Sequence, residues 1–87
     1  MSKDIRIVVL QRGWVVVGEY SREGMECRVS RASVIRRWGT SKGLGELRDG
    51  PLRDTVLDPT GELEHHRLTE VMTLRVDAEK WEAHLVD

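Results

Sequence analysis

The sequence has no phenylalanine, a single tyrosine, Tyr20, and a single cysteine, Cys27. Without phenylalanine, the core has to come from Val, Ile, Leu, Met and the three tryptophans Trp14, Trp38 and Trp81. One cysteine excludes an internal disulfide, which suits a reducing compartment. No charged-then-apolar leader opens the chain, and no run of about 18 apolar residues occurs. Secretion and membrane insertion are therefore not expected, and the chain reads as cytoplasmic. There is also no internal repeat, low-complexity tract or linker. The 87 residues make one domain, 1–87, near the lower size limit for folding alone. Chains this small often gain stability by association, so a homo-oligomer is expected.

Charge is nearly balanced overall, at −1, but not along the chain. Residues 1–48 hold ten Lys/Arg against five acids, whereas residues 49–87 hold four against ten. The favoured account is that the halves pack together and neutralise each other. A basic face for an anionic partner and two-fold or head-to-tail association are the alternatives. An isoelectric point near 6.3 argues against unspecific nucleic-acid binding, which needs a basic surface.

The pattern predicts a mainly β fold: a small twisted antiparallel sheet or half-open barrel, with one short internal helix and a C-terminal helix. Residues 4–10 alternate and then run apolar and β-branched, as a strand does. Gln11–Gly13 is a tight turn into a second strand, Trp14–Tyr20, and Gly18 within it suggests a bulge or a close backbone approach. After the Ser21–Gly24 turn, Met25, Cys27 and Val29 share one face of a third strand. Residues 32–38 fit either strand or helix, and β-branching favours strand. Leu44–Arg48 reads as one or two helical turns ended by Asp49-Gly50-Pro51. A short strand is expected around Val56 and Leu57, then a turn at Asp58-Pro59-Thr60-Gly61. From Leu68 a long strand puts Leu68, Glu70, Met72, Leu74 and Val76 on one face. Asp77 N-caps a closing helix that buries Ala78, Trp81 and Leu85.

The least ordinary stretch is Arg36-Arg37-Trp38-Gly39-Thr40-Ser41-Lys42-Gly43-Leu44-Gly45. Glycines let backbone N–H groups approach an anion, two hydroxyls lie among them, and Arg36, Arg37 and Lys42 supply charge. Arg36, Arg37, Trp38, Gly39, Thr40, Ser41, Lys42, Gly43 and Gly45 are accordingly the candidate ligand-binding residues, for a phosphate-bearing ligand such as a nucleotide. The stretch is neither a Walker A loop, since Lys42 precedes Gly43, nor a dinucleotide fingerprint. The plainer reading, favoured because loose glycine loops are common, is a connection that leaves the sheet and starts a short helix. In the same spirit, Trp38 reads as a core residue beside a snorkelling Arg36 more readily than as a stacking platform.

No catalytic signature is present, and neither a cofactor nor a metal site is expected. The histidines His65, His66 and His84, with Cys27 or Glu64, lack zinc-type spacing, and adjacent histidines in an extended segment diverge. Cys27, on an apolar strand face, reads as a small hydrophobe. Glu70 interrupts an apolar face and needs a partner, and Arg36 or Arg37 is the natural one; a general base in a pocket is the less favoured reading.

Several segments together carry a resemblance: Arg6 to Trp14, Val34 to Thr40, Lys42-Gly43-Leu44-Gly45, Leu57-Asp58-Pro59, His66 to Val71 and Lys80-Trp81. In these the chain resembles a family of small uncharacterised proteins encoded by tailed phages and prophages. The resemblance covers nearly the whole chain. It implies an intracellular, phage-related origin, in the cytoplasm of a bacterial host, and supplies no activity. It favours a non-enzymatic binding module that meets a host protein or a nucleotide through Arg36–Gly45. The alternatives are a small enzyme acting on a phosphorylated substrate and a purely structural interaction protein.

Overall fold

The computed structural model describes residues 4–86. Five strands, β1 (Ile5–Leu10), β2 (Val15–Glu23), β3 (Glu26–Arg37), β4 (Val56–His66) and β5 (Glu70–Arg75), form one sheet in the order β4-β3-β2-β1-β5. All its pairings are antiparallel. Short 3-10 turns at Gln11–Gly13, Leu44–Asp49 and Arg67–Thr69 join strands. The chain closes with a single turn of α-helix, α1 (Ala78–Trp81), which runs on into a 3-10 turn, Glu82–His84. The fold is mainly β, as the sequence pattern predicts, and residues 32–37 belong to a strand.

The near-continuous apolar runs have a physical cause: both faces of the sheet are buried. Successive side chains alternate across the sheet. Ile5, Ile7, Val15 and Val17 therefore enter one cluster, while Val8 and Val16 enter another with Val29 and Ala32. The first face is covered by Leu47 of the Leu44–Asp49 turn and by Trp81 and Leu85. Trp81 has no exposed surface, and its indole N–H donates to the Leu47 carbonyl at 2.7 Å, so the two covering pieces are bonded to each other. Burying an indole of about 200 Å² contributes about 5 kcal/mol before entropy is counted. Asp77 caps α1 by accepting from the Glu79 and Lys80 N–H groups, as the sequence predicts.

The structure corrects several expectations. Trp14 and Trp38 are 57% and 40% exposed, so Trp81 alone of the three tryptophans is a core residue. Both exposed tryptophans stand just outside strand ends, beyond the alternation that directs side chains inward. Asp58–Gly61 is not a turn but part of β4. Register shifts against β3 kink the strand there, Gly61 takes φ 87°, and the Thr60 hydroxyl bonds the Ala32 carbonyl at 3.0 Å. Pro59 is tolerated because β4 is an edge strand and needs no N–H on its outer side. Leu68 lies in the Arg67–Thr69 turn and is exposed. Glu70 does not share a face with Met72 and Leu74. The β1–β5 register runs Val9 to Met72 and then Leu10 to Glu70, so Val71 is bulged out and Glu70 is turned to the opposite face.

The charge asymmetry resolves largely as the favoured account has it. Arg28, Arg31 and Arg36 of the basic half pair with Glu64, Glu82 and Asp58 of the acidic half. Arg31 is the most connected. It sits at φ 54° beside the β2–β3 register shift, donates to Glu19, Glu82 and the Val86 carbonyl, and accepts from the Val86 N–H.

Gly18 faces that same shift. A Cβ there would lie 2.7 Å from both the Ser30 carbonyl oxygen and Val29 Cγ1. Gly45, in the Leu44–Asp49 turn, has nothing within 4 Å. Gly18→Ala should therefore destabilise the domain by about 1–3 kcal/mol through overpacking. Gly45→Ala should be neutral or stabilising by up to about 1 kcal/mol. Urea denaturation of both variants checks the contrast.

Candidate functional site

Two places carry chemistry, and they lie at opposite ends of β3. At the far end is the glycine-rich loop. Arg36 and Arg37 are the last residues of β3 and are exposed, with Arg36 paired to Asp58 at 2.9 Å. Gly39 has φ 68°, and a Cβ on it would come within 2.4 Å of the Asp54 carbonyl carbon, so only glycine lets the loop lie against residues 54 and 55. The Thr55 hydroxyl donates to the Trp38 carbonyl at 2.7 Å and fixes the loop's entry. Its exit is fixed by Glu46, whose carboxylate accepts from the N–H groups of Ser41 and Lys42 at 2.8 and 2.7 Å and from the Ser41 hydroxyl at 3.3 Å.

The loop therefore does aim backbone amides at an anion, and that anion is the chain's own carboxylate. The Leu44–Asp49 turn is a six-residue 3-10 helix, too short to add the field of an α-helix N-terminus. Gly43 takes φ 106° as the turn begins, and Gly45 lies inside it. Thr40 is half-buried, whereas Ser41 and Lys42 are exposed. Arg37 and Lys42 have no ion-pair partner among the described residues. Arg36, Arg37, Trp38, Ser41, Lys42 and Gly45 are the residues of this stretch that face water.

At the other end of β3 is a polar cluster within the second buried face. Cys27 on β3 is paired directly with His65 on β4. Tyr20 on β2 and Glu70 at the start of β5 complete it. The Glu70 carboxylate accepts the Tyr20 hydroxyl and bonds His65 Nε2, both at 2.7 Å. The Tyr20 hydroxyl also lies 3.6 Å from Cys27 Sγ, and the Arg6 guanidinium sits over the tyrosine ring, 4.6 Å from its centre. Glu70 and His65 side chains are 5% and 9% exposed, and Cys27 is 2% exposed. Ligand-capable atoms of Cys27, His65 and Glu70 all fall within 4.8 Å of one another. His65 Nδ1 is buried and has no hydrogen-bond partner among the described residues.

The electrostatics follow from this packing. Burial acts to raise the Glu70 carboxyl, but hydrogen bonds from His65, Tyr20 and Cys27 outweigh it and hold the group below the usual carboxylate range. Burial, then the bond to Glu70, pushes the Tyr20 phenol well up. Burial likewise raises the Cys27 thiol, which keeps it protonated and unreactive near neutrality.

Glu70 is thus a satisfied buried carboxylate, but not through Arg36 or Arg37. Those arginines lie at the opposite end of β3, and the guanidinium nearest to Glu70 is that of Arg67, at 3.8 Å. The adjacent histidines diverge as expected: His65 turns inward, and His66 is exposed and accepts from the Leu68 N–H at 3.1 Å. His84 lies edge-on to Trp81. The conjunction of Tyr20, Cys27, His65 and Glu70 is not visible as spacing. The one signal for it is Glu70, a carboxylate on an otherwise apolar strand face in the sequence pattern. The chain matches no protein family, and no curated protein is significantly similar to it.

Two measurements check this geometry. Tyr20→Phe removes one partner of a buried carboxylate and should cost about 1–3 kcal/mol, read by denaturation. The second concerns Glu46, whose carboxyl is lowered chiefly by the Lys42 N–H, against desolvation, with help from Ser41. A depressed folded-state value means the contact contributes above the ordinary glutamate range and is lost as pH falls through the lower folded value. The Ser41 and Lys42 amide resonances should therefore titrate together below the ordinary glutamate value of about 4.3. That titration should vanish in Glu46→Gln.

Proposed function

We propose that the chain is a non-enzymatic binding module that docks an acidic surface of a protein partner through Arg36–Gly45. One observation carries the reading. Trp38 stands 40% exposed between Arg37 and Lys42, on a loop locked from within by Thr55, Gly39 and Glu46. A large exposed aromatic flanked by cations is the composition of an interface anchor. A loop already held in one conformation loses little entropy on binding. The self-supplied carboxylate weighs against a small phosphate ligand, which would have to displace Glu46 from the two amides. A catalytic reading finds little support. Glu70 is engaged by Tyr20 and His65 and closed to solvent, and it is remote from the loop along β3. The resemblance to phage-encoded proteins favours a host protein as partner, in the bacterial cytoplasm. No helix among the described residues is long and apolar enough to cross a membrane. A second copy of the chain, docking its acidic half on this loop, is the homo-oligomeric form of the same reading.

The reading predicts selective, salt-sensitive capture. Wild-type protein used as bait should retain an acidic partner that Trp38→Ala and Arg37→Glu lose while remaining folded. Equal capture by all three baits would overturn it. Thermal shift against inorganic phosphate and a panel of nucleotides separates the other possibility. Docking on protein expects no shift. A ligand at about 100 times its Kd would add about 2.7 kcal/mol, several degrees in a domain of this size. Such a shift, lost in Lys42→Ala, would establish the anion site instead.

A further inference from the structure

The second polar cluster is independent of that loop and has a different chemistry. Cys27, His65 and Glu70 offer a thiol, an imidazole and a carboxylate, the three side-chain types that bind zinc. Their ligand atoms all lie within 4.8 Å of one another. Zinc bonds of about 2.0–2.3 Å in a tetrahedron separate neighbouring ligand atoms by about 3.3–3.8 Å. The His65–Glu70 bond, at 2.7 Å, has to open slightly, and the widest pair has to close by about 1 Å.

The backbone already fixes the donors. Cys27 and His65 are cross-strand partners, and Glu70 is delivered by the Arg67–Thr69 turn five residues after His65. Charge is also matched. A divalent ion with one thiolate, one carboxylate and a neutral imidazole makes a neutral set, the form in which charge can be buried at least cost.

His65 turns Nε2 toward the cluster, which makes it the ligating nitrogen, and Nδ1, buried and without a hydrogen-bond partner among the described residues, is left to carry the ring proton. A depression of about 310 Å³ lined by Glu26, Cys27, Glu64, His65 and His66 gives an ion a route in.

We propose that Cys27, His65 and Glu70 bind a single zinc ion, with water in the fourth position beside the Tyr20 hydroxyl. On binding, the Cys27 thiol proton is released to solvent and the ring proton of His65 passes from Nε2 to Nδ1, so the imidazole stays neutral, while Glu70 enters as a carboxylate. The role is structural: the ion would tie β3, β4 and β5 together at one end of the sheet.

The test uses the full chain, stripped with a chelator and then titrated with zinc sulfate alone. Wild type should take up one zinc per chain, as read by elemental analysis and calorimetry, and its Tm should rise. Cobalt substitution should show a thiolate-to-cobalt charge-transfer band. Cys27→Ala should weaken zinc binding by more than about 100-fold, beyond the loss typical of an outer-shell partner. His66→Ala and His84→Ala should bind as wild type does. Folded wild type that takes up no zinc at micromolar free metal would overturn the proposal. So would cobalt binding without a thiolate band, or zinc binding lost in His66→Ala and kept in Cys27→Ala. The cobalt spectrum needs no variant, so the proposal stays testable if Cys27→Ala fails to fold.

Discussion

The bond between His65 and Glu70 joins the two edges of an open sheet. β4 and β5 are the outermost strands, and three others lie between them, yet these two side chains meet at 2.7 Å. The sheet must therefore curl toward that face. The curl is what buries Val8, Val16, Val29 and Ala32, which no helix among the described residues covers. Register shifts in three of the four strand pairings make it achievable: one at Val71, one opposite Gly18, and three along β4. Bulges bend strands and increase their twist. The Val71 bulge does more than bend. It turns Glu70 inward, so the device that shapes the sheet also supplies the acid that joins its edges.

The opposite face is handled by different means. Trp81 closes it, held by its indole bond to the Leu47 carbonyl. Arg31 then secures the end of the chain through Glu82 and the Val86 backbone. One face is thus closed by apolar cover and the other by curvature with a polar knot at its end. A chain of this size cannot bury a large core, and using both faces of a single sheet raises the fraction of its residues that leave water.

The two candidate regions differ in how they treat polar groups. In the Arg36–Gly45 loop, Thr55 and Glu46 bond backbone groups, and Arg36, Arg37, Trp38, Ser41 and Lys42 face solvent. In the Tyr20–Cys27–His65–Glu70 cluster, the side chains are withdrawn from solvent and bond one another, and His65 Nδ1 has no partner among the described residues. The proposed docking draws on the first arrangement and the proposed zinc site on the second.

Local signals were enough for much of this. Alternation and β-branching specify β1, β2 and the start of β3, because side-chain direction along a strand depends only on neighbouring residues. Asp77 and the spacing of Ala78, Trp81 and Leu85 specify the closing turn for the same reason. Gly18 announces a close approach because a strand interior otherwise avoids glycine. The sequence alone could not say that Asp58–Gly61 would remain in a strand, since that depends on which ladder bonds an edge strand can give up. Nor could it turn Glu70 away from Met72, because a bulge is a property of two paired strands and not of one. The identity of the acid that fills the glycine loop, and the meeting of Cys27 with His65 and Glu70, likewise depend on register and curl. Periodicity determined what each segment is; pairing between segments distant in sequence decided which side chains meet, and the candidate sites are made of those meetings.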